Sequence, residues 1–368
     1  MEKIKRYIDV FVPTETCNLR CNYCYITQKL KFNQKIASFS HSPKEIRQAL
    51  SKEKLGGLCL LNFCALGETM LAEELLQIIY ELIQEGHYIM IVTNGTITKA
   101  IEKICQWNTE ICEHIFFKFS FHFLELKRLN ILEKFADNVQ CVKKAGCSFT
   151  IEITPSDELI PYIDEVKRFS IEKFGALPHL TIARNGNTKG LDLLTNYNIE
   201  EYKKIWGGNF NSALFDFKMS VYHKKIKEFC YAGVWSLYLN LESGDVAQCG
   251  GLKKIGNIYD DEYIAFAPVG CKCKYPYCYN GHLFLAFGVV PGLDEVNYEQ
   301  ERDRVDSFGN HWLNDSFRSV FSTKLYEVNN QYTELQKFII NQKNWFSTLP
   351  SIKELVGKTW IYKKYKRI

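Results

Sequence analysis

Short apolar segments alternate with amphipathic ones from residue 7 to residue 183, and this rhythm leaves few folds open. Residues 7–12, 58–63, 87–93, 115–121, 149–154 and 179–183 read as strands. Residues 43–51, 71–84, 97–107, 126–144 and 155–174 read as the helices between them. Within 71–84, Leu71, Leu75, Leu76, Ile79, Leu82 and Ile83 fall on one helical face, and Gly86 stands where a C-terminal cap belongs. Strands and helices in strict alternation predict an α/β domain built on a parallel sheet, with right-handed crossovers.

The 368 residues suffice for one large domain and a smaller one. A hydrophobic content of 46% supplies a core, and a formal net charge of +4 gives no field that points to nucleic acid. Residues 1–6 are mostly charged and lead straight into a strand, without the apolar stretch of a signal peptide. The apolar runs are too short to span a membrane. Fourteen cysteines without an export signal argue against a disulfide framework and for a reducing cytoplasm sheltered from oxygen. Six of them (Cys59, Cys64, Cys105, Cys112, Cys141 and Cys147) are scattered through apolar patterns and read as small buried hydrophobes. The other eight form two groups.

The first group is Cys17, Cys21 and Cys24, a C-x3-C-x2-C run with Tyr23 before its last cysteine, directly after the first strand. Zinc usually takes four protein ligands, and this loop is one short, with no histidine nearby. Three thiolates on one short loop can instead hold three irons of a [4Fe–4S] cube and leave the fourth for a ligand that is not protein. In these features the chain resembles the radical S-adenosylmethionine (SAM) enzymes. The resemblance implies a partial (β/α)6 TIM-like barrel and a SAM-binding [4Fe–4S] cluster at Cys17, Cys21 and Cys24. SAM then chelates the open iron, with Tyr23 beside it. Reductive cleavage of SAM gives a 5′-deoxyadenosyl radical that takes a hydrogen atom from the substrate. The electron comes from a donor such as flavodoxin or ferredoxin. Barrels of this kind do their chemistry at the C-terminal ends of the strands, where the cysteine loop begins.

The other strand ends are read against that expectation. Ala65-Leu66-Gly67-Glu68-Thr69 looks like the family's Gly-Gly-Glu-Pro segment, which holds the amino group of SAM; Gly67 and Glu68 match, while Leu66 and Thr69 depart. The alternative is a helix N-terminus whose dipole Glu68 favours. Thr93-Asn94-Gly95 recurs in the family beside the methionine or adenine part of the cofactor, and is otherwise a common turn. Ser120 resembles a serine that bonds the ribose or carboxylate. His122, two residues on, shares its face and reads as a general base, a substrate contact or a core histidine. Glu152, an acid in an apolar strand, reads either as a catalytic group in the lumen or as an outward salt bridge. Arg184 is a candidate bidentate partner of the SAM carboxylate.

The second group opens at Cys230 and continues through a hairpin, residues 238–249, to Cys249. Gly256-Asn257-Ile258 and a C-x-C-x4-C run, Cys271, Cys273 and Cys278, follow. This resembles the SPASM and twitch extensions, which carry auxiliary clusters. A full SPASM domain uses seven cysteines and this segment has five, so the expectation is one auxiliary [4Fe–4S] cluster. Its ligands are then Cys230, Cys249, Cys278 and one of Cys271 and Cys273, with Cys273 favoured. A zinc knuckle on four thiolates is the other reading. The expected organisation is a radical SAM core over 1–205, a small cysteine-rich auxiliary-cluster domain over 225–300 and a helical extension over 301–368. His282 lies near the second group or in a turn. Trp312, Phe317, Phe321 and Leu325 read as packing residues, and the basic residues 363–367 as a solvated end. The substrate expected is a small polar or carbohydrate-like molecule, oxidised or epimerised, with a ribosomal peptide as the alternative and no nucleic acid or membrane partner.

Overall fold

Nine strands form one sheet in the computed structural model, which describes residues 2–261, 264–293 and 296–348. They are β1 (Arg6–Val12), β2 (Cys59–Ala65), β3 (Tyr88–Thr93), β4 (Ile115–Ser120), β5 (Ser148–Ile153), β6 (His179–Leu180), β7 (Ser236–Asn240), β8 (Asp245–Ala247) and β9 (Lys254–Asn257). Their order is β6-β5-β4-β3-β2-β1-β7-β8-β9. Strands β1 to β6 are parallel and lie side by side in chain order, the topology of a partial (β/α)6 barrel. β7 then joins the free edge of β1 in parallel, and β8 and β9 extend the sheet as antiparallel strands. The segment that carries the second cysteine group is thus hydrogen-bonded to the same sheet as the first.

Side-chain alternation gives this sheet two faces. Ile8, Val10, Leu61, Phe63, Ile91, Phe117, Phe119 and Ile151 face the helices and share one core with them. The opposite face lines the lumen. Its lower part is apolar: Tyr7, Leu60, Met90 and Phe116 pack on Phe284, Phe287, Tyr298, Phe317 and Phe321 from the C-terminal segment. Tyr7 stacks on Phe287 at 5.3 Å, and Phe321 meets Phe116 edge-on at 5.0 Å. Trp312 and Leu325 are also buried there or beside it. The C-terminal segment therefore plugs the bottom of the barrel; its last residues, 349–368, including the basic 363–367, lie outside the described residues.

Two helices depart from the periodic pattern. The stretch 126–144 is two helices, Phe123–Arg128 and Leu132–Lys144, broken where Asn130 adopts a left-handed φ of 56°. Asparagine tolerates that conformation better than most residues, so apolar periodicity runs on through a backbone break. Residues 155–174 begin with a 3-10 turn, Asp157–Tyr162, which contains Pro161, before the helix Ile163–Phe174. Among the described residues no helix is long and apolar enough to cross a membrane.

Candidate active site

The loop after β1 is clamped from both sides. Backbone N–H groups of Glu15 and Thr16 donate to Lys35 O at 2.9 and 3.1 Å. Gly67 N donates to Thr14 O at 2.9 Å and Glu68 N to Thr16 O at 3.0 Å. On the far side Arg20 N donates to Glu125 Oε1 at 2.8 Å, and Arg128 holds Glu125. The result is a cavity of about 200 Å³ lined by Cys17, Cys21 and Cys24 together with Gly67, Glu68, Thr93, Asn94, Ser120 and His122. Four successive strand ends thus contribute to one space.

Glu68 is spent inside the protein. Its Oε1 accepts from Thr93 Oγ1 at 2.6 Å and Met70 N at 3.0 Å, and its Oε2 from Asn94 N at 2.7 Å. Buried to 2% exposure, it stitches the end of β2 to the end of β3, where the sequence pattern suggests a carboxylate aimed at an ammonium. Asn94 in turn donates to Asn18 Oδ1 at 2.8 Å and approaches Cys17 Sγ at 3.7 Å, so it orients the first thiol. Burial, together with the neighbouring thiols, pushes the Cys17 and Cys21 pKa values up. Thiolate ligands must lose those protons, so metal loading here releases them.

Tyr23 lies behind the cavity with its hydroxyl 2.6 Å from His122 Nδ1. Burial pushes the His122 pKa down to about 4 and that of Tyr23 far up, leaving a neutral pair at physiological pH. Glu152 faces the lumen but is no free base. Arg302 binds its Oε1, and Lys118 Nζ lies 3.3 Å away. Against burial, which raises it, these cations hold its carboxyl at about 2. The catalytic role expected for Glu152 gives way to that of an ion-pair anchor, because two buried cations already claim it. Arg184 is likewise turned elsewhere: Nη2 donates to Tyr279 O at 2.8 Å, with the Tyr25 hydroxyl beside it. It bridges the two cysteine loops outside the first cavity.

The second group closes around its own cavity, of about 110 Å³, lined by Cys230, Cys249, Cys273 and Cys278. Cys271 is outside it; its thiol accepts from Asn341 Nδ2 at 3.3 Å, and its N–H donates to Asn341 Oδ1 at 2.9 Å. Burial pushes Cys230 and Cys249 up to about 12, and raises Cys278 well above the usual thiol range. Among the described residues no three His, Cys, Asp or Glu side chains gather as they do around one metal ion. Two thiol-lined cavities, one with three donors and one with four, fit the donor sets of an open and a closed cluster. His282 is buried in the helix Gly281–Phe284, on the lumen side near Lys118 and Lys218. Those two lysines and Arg302 escaped the sequence pattern, although a lysine in the apolar strand β4 was visible.

The family model for the Radical SAM superfamily matches residues 11–156. No curated protein matches the chain. Among solved structures, the crystal structure of Streptococcus suis SuiB is 14% identical, with a TM-score of 0.48 over 71% of this chain and 65% of that one. Native anSMEcpe with bound AdoMet is 19% identical, with a TM-score of 0.48 over 70% of this chain and 79% of that one. BtrN in complex with AdoMet and 2-DOIA is 14% identical, with a TM-score of 0.33 over 89% and 92%. The matched residues, 11–156, begin in the strand that feeds the three-cysteine loop and carry a Radical SAM domain.

Proposed function

We propose that this chain is a radical SAM enzyme that cleaves S-adenosylmethionine reductively and abstracts a hydrogen atom from a small polar substrate. The observation that carries the reading is the single cavity on which three thiols of one loop converge with Gly67, Thr93, Asn94 and Ser120. Cys17, Cys21 and Cys24 would hold the SAM-binding [4Fe–4S] cluster. Cluster and cofactor bound there supply the one-electron cleavage and the radical, which no protein side chain provides. The chain's own residues prepare the space. Glu68 and Asn94 fix the strand ends and the first thiol. The neutral Tyr23–His122 pair adds a polar wall without a net charge. Thr93 Oγ1 is committed to Glu68, which leaves Ser120 as the hydroxyl best placed to bond a ligand.

Cys230, Cys249, Cys273 and Cys278 would ligate one auxiliary [4Fe–4S] cluster, electron donor or acceptor to the site. A flavodoxin or ferredoxin would supply the reducing electron in the cytoplasm. The plugged bottom of the barrel and the polar layer above it support a small polar or carbohydrate-like molecule, oxidised or epimerised, over an extended peptide. The test is anaerobic reconstitution, reduction and incubation with SAM. The wild type forms 5′-deoxyadenosine and carries about eight irons per chain, by summing two four-iron clusters. The triple variant Cys17→Ala, Cys21→Ala, Cys24→Ala forms none and keeps about four. Unchanged cleavage in the triple variant overturns the proposal.

A further inference from the structure

Above its apolar plug the lumen holds a layer of buried basic and acidic groups. Lys118 occupies the lumen position of β4 directly below Ser120, about 7 Å along the strand, and Ser120 lines the thiol cavity. Arg302 reaches the same layer from the C-terminal segment and shares Glu152 Oε1 with Lys118. Lys218 enters from the helix Ala213–Val221. It is 7% exposed, donates to Thr181 Oγ1 at 2.5 Å, and has no carboxylate partner among the described residues. Arg184 completes the set and, with Lys118 and Arg302, lies close enough to Lys218 to oppose its charge.

Of these four basic groups, Lys218 is held well below its usual pKa by burial, because no carboxylate contacts it. Glu152 is ionised but serves two of them. Burial pushes Glu301 up to about 8; its Oε2 lies 3.9 Å from Arg302 Nη2, and neither of its oxygens has a hydrogen-bond partner among the described residues. Asp9, whose pKa burial also raises, is engaged by Asn62 Nδ2 at 2.9 Å. Hydrogen-bonding capacity is left over as well. Nε and Nη2 of the fully buried Arg302, Nε of Arg184 and Nδ1 of the buried His282 have no hydrogen-bond partner among the described residues. A buried charge without a partner is costly, and a buried donor left unmet costs the desolvation of its group. Unmet donors on Arg302 and Arg184, and a buried amine that no carboxylate contacts, at one level of the lumen, suit an oxyanion.

We propose that the substrate carries an oxyanion, a carboxylate or a phosphate, which docks among Lys118, Lys218 and Arg302. This inference rests on the radical SAM reading, because it takes the cavity above Ser120 as the reacting end. A guanidinium edge and two ammonium groups suit such an anion, the first by its fork of N–H donors and the others as point charges. Glu152, whose Oε1 both Lys118 and Arg302 contact, orients the two cations, so it acts as a positioning residue.

The test uses the anaerobically reconstituted holoenzyme, titrated with inorganic phosphate or with malonate at constant ionic strength and followed by Tm. The wild type shows a saturable rise in Tm with one of the two, and the responding probe tells a phosphate-bearing substrate from a carboxylate-bearing one. Lys218→Met abolishes the response and does not lower Tm without the anion, because it removes a buried amine that no carboxylate contacts. Lys218→Arg retains the response. Should Lys218→Met fail to fold, Lys118→Met serves as the second variant and also loses the response. No saturable response in the wild type, or equal responses in the wild type and both methionine variants, overturns the inference. Formation of 5′-deoxyadenosine by the same preparations reports the enzyme reading separately. Cleavage without an anion response overturns the oxyanion site alone, and an anion response without cleavage overturns the radical SAM reading while the lumen site stands.

Discussion

Gly67→Ala tests whether the two strand-end loops are locked together as the site requires. A Cβ built at Gly67 lies 1.8 Å from Thr16 O and 2.5 Å from Thr16 C. Ordinary contact begins near 3.4 Å, and the obstacle is backbone, which cannot swing aside like a side chain. The loop that carries Cys17 must therefore retreat. The same movement strains two hydrogen bonds, Gly67 N to Thr14 O and Glu68 N to Thr16 O. Each is worth about 1 kcal/mol net, and forced overpacking costs about 1–3 kcal/mol. The expected loss is about 2–4 kcal/mol in urea unfolding of the metal-free protein, read as a lower midpoint. Displacement of Cys17 also impairs loading of the first cluster, so iron falls from about eight toward four per chain. Gly208→Ala is the control: its Cβ meets nothing within 4 Å in the helix Ile199–Phe210. There, alanine is neutral or stabilising by about 0.5–1 kcal/mol. An unchanged midpoint and full iron loading in Gly67→Ala would refute the reasoning.

Glu152→Gln leaves Arg302 buried without its carboxylate and is expected to cost about 3–5 kcal/mol at neutral pH by chemical denaturation. Because the folded pKa of Glu152, about 2, lies below the unfolded value, its stabilisation is present above about pH 4 and is lost as pH falls toward 2. The variant's stability should accordingly vary less over that window. Cys273→Ser is expected to remove the auxiliary iron, about four per chain, whereas Cys271→Ser leaves iron content unchanged; the reverse result would reassign the ligand. Asn94→Ala loses the bond to Asn18 and the contact to Cys17, and is expected to lower stability by about 1–2 kcal/mol and slow iron incorporation at the first cluster.

The six barrel strands were legible because each is an apolar run long enough to declare itself between helical patterns. β7 was legible as a strand, but its pairing was not: parallel addition to β1 joins residues 7–11 to 236–240, and no local pattern encodes a contact that distant. The three thiols of the first loop were legible from spacing alone. Glu68 shows the limit of motif reasoning. Its type and place suggested a ligand, yet its donors come from Thr93 and Asn94, after an intervening helix and strand. Glu152 and Arg302 stand 150 positions apart, so an acid in an apolar strand left two readings open until its partner was known. Alternation put Cys271 and Cys273 on one face, and only the distant Asn341 separates them.

The loop after β6 ties the two thiol groups to each other, which gives Arg184 a use. Toward the first group, Gly186 N donates to Gln28 Oε1 at 2.7 Å, and Gln28 Nε2 donates to Arg184 O at 2.9 Å and to Tyr23 O at 2.7 Å. A side chain at Gly186 would strike the Tyr25 ring at 2.6 Å, so glycine permits this close approach. Toward the second group, Arg184 Nη2 binds Tyr279 O, and the Tyr277 hydroxyl donates to Leu191 O at 3.2 Å. Tyr23 and Tyr25 flank Cys24, and Tyr277 and Tyr279 flank Cys278. One loop thus grips the neighbours of a cysteine in each group, while β1 and β7 join the same two segments through the sheet. Two independent links fix the separation of the cavities more tightly than either alone, and electron transfer between clusters held there would depend on that separation.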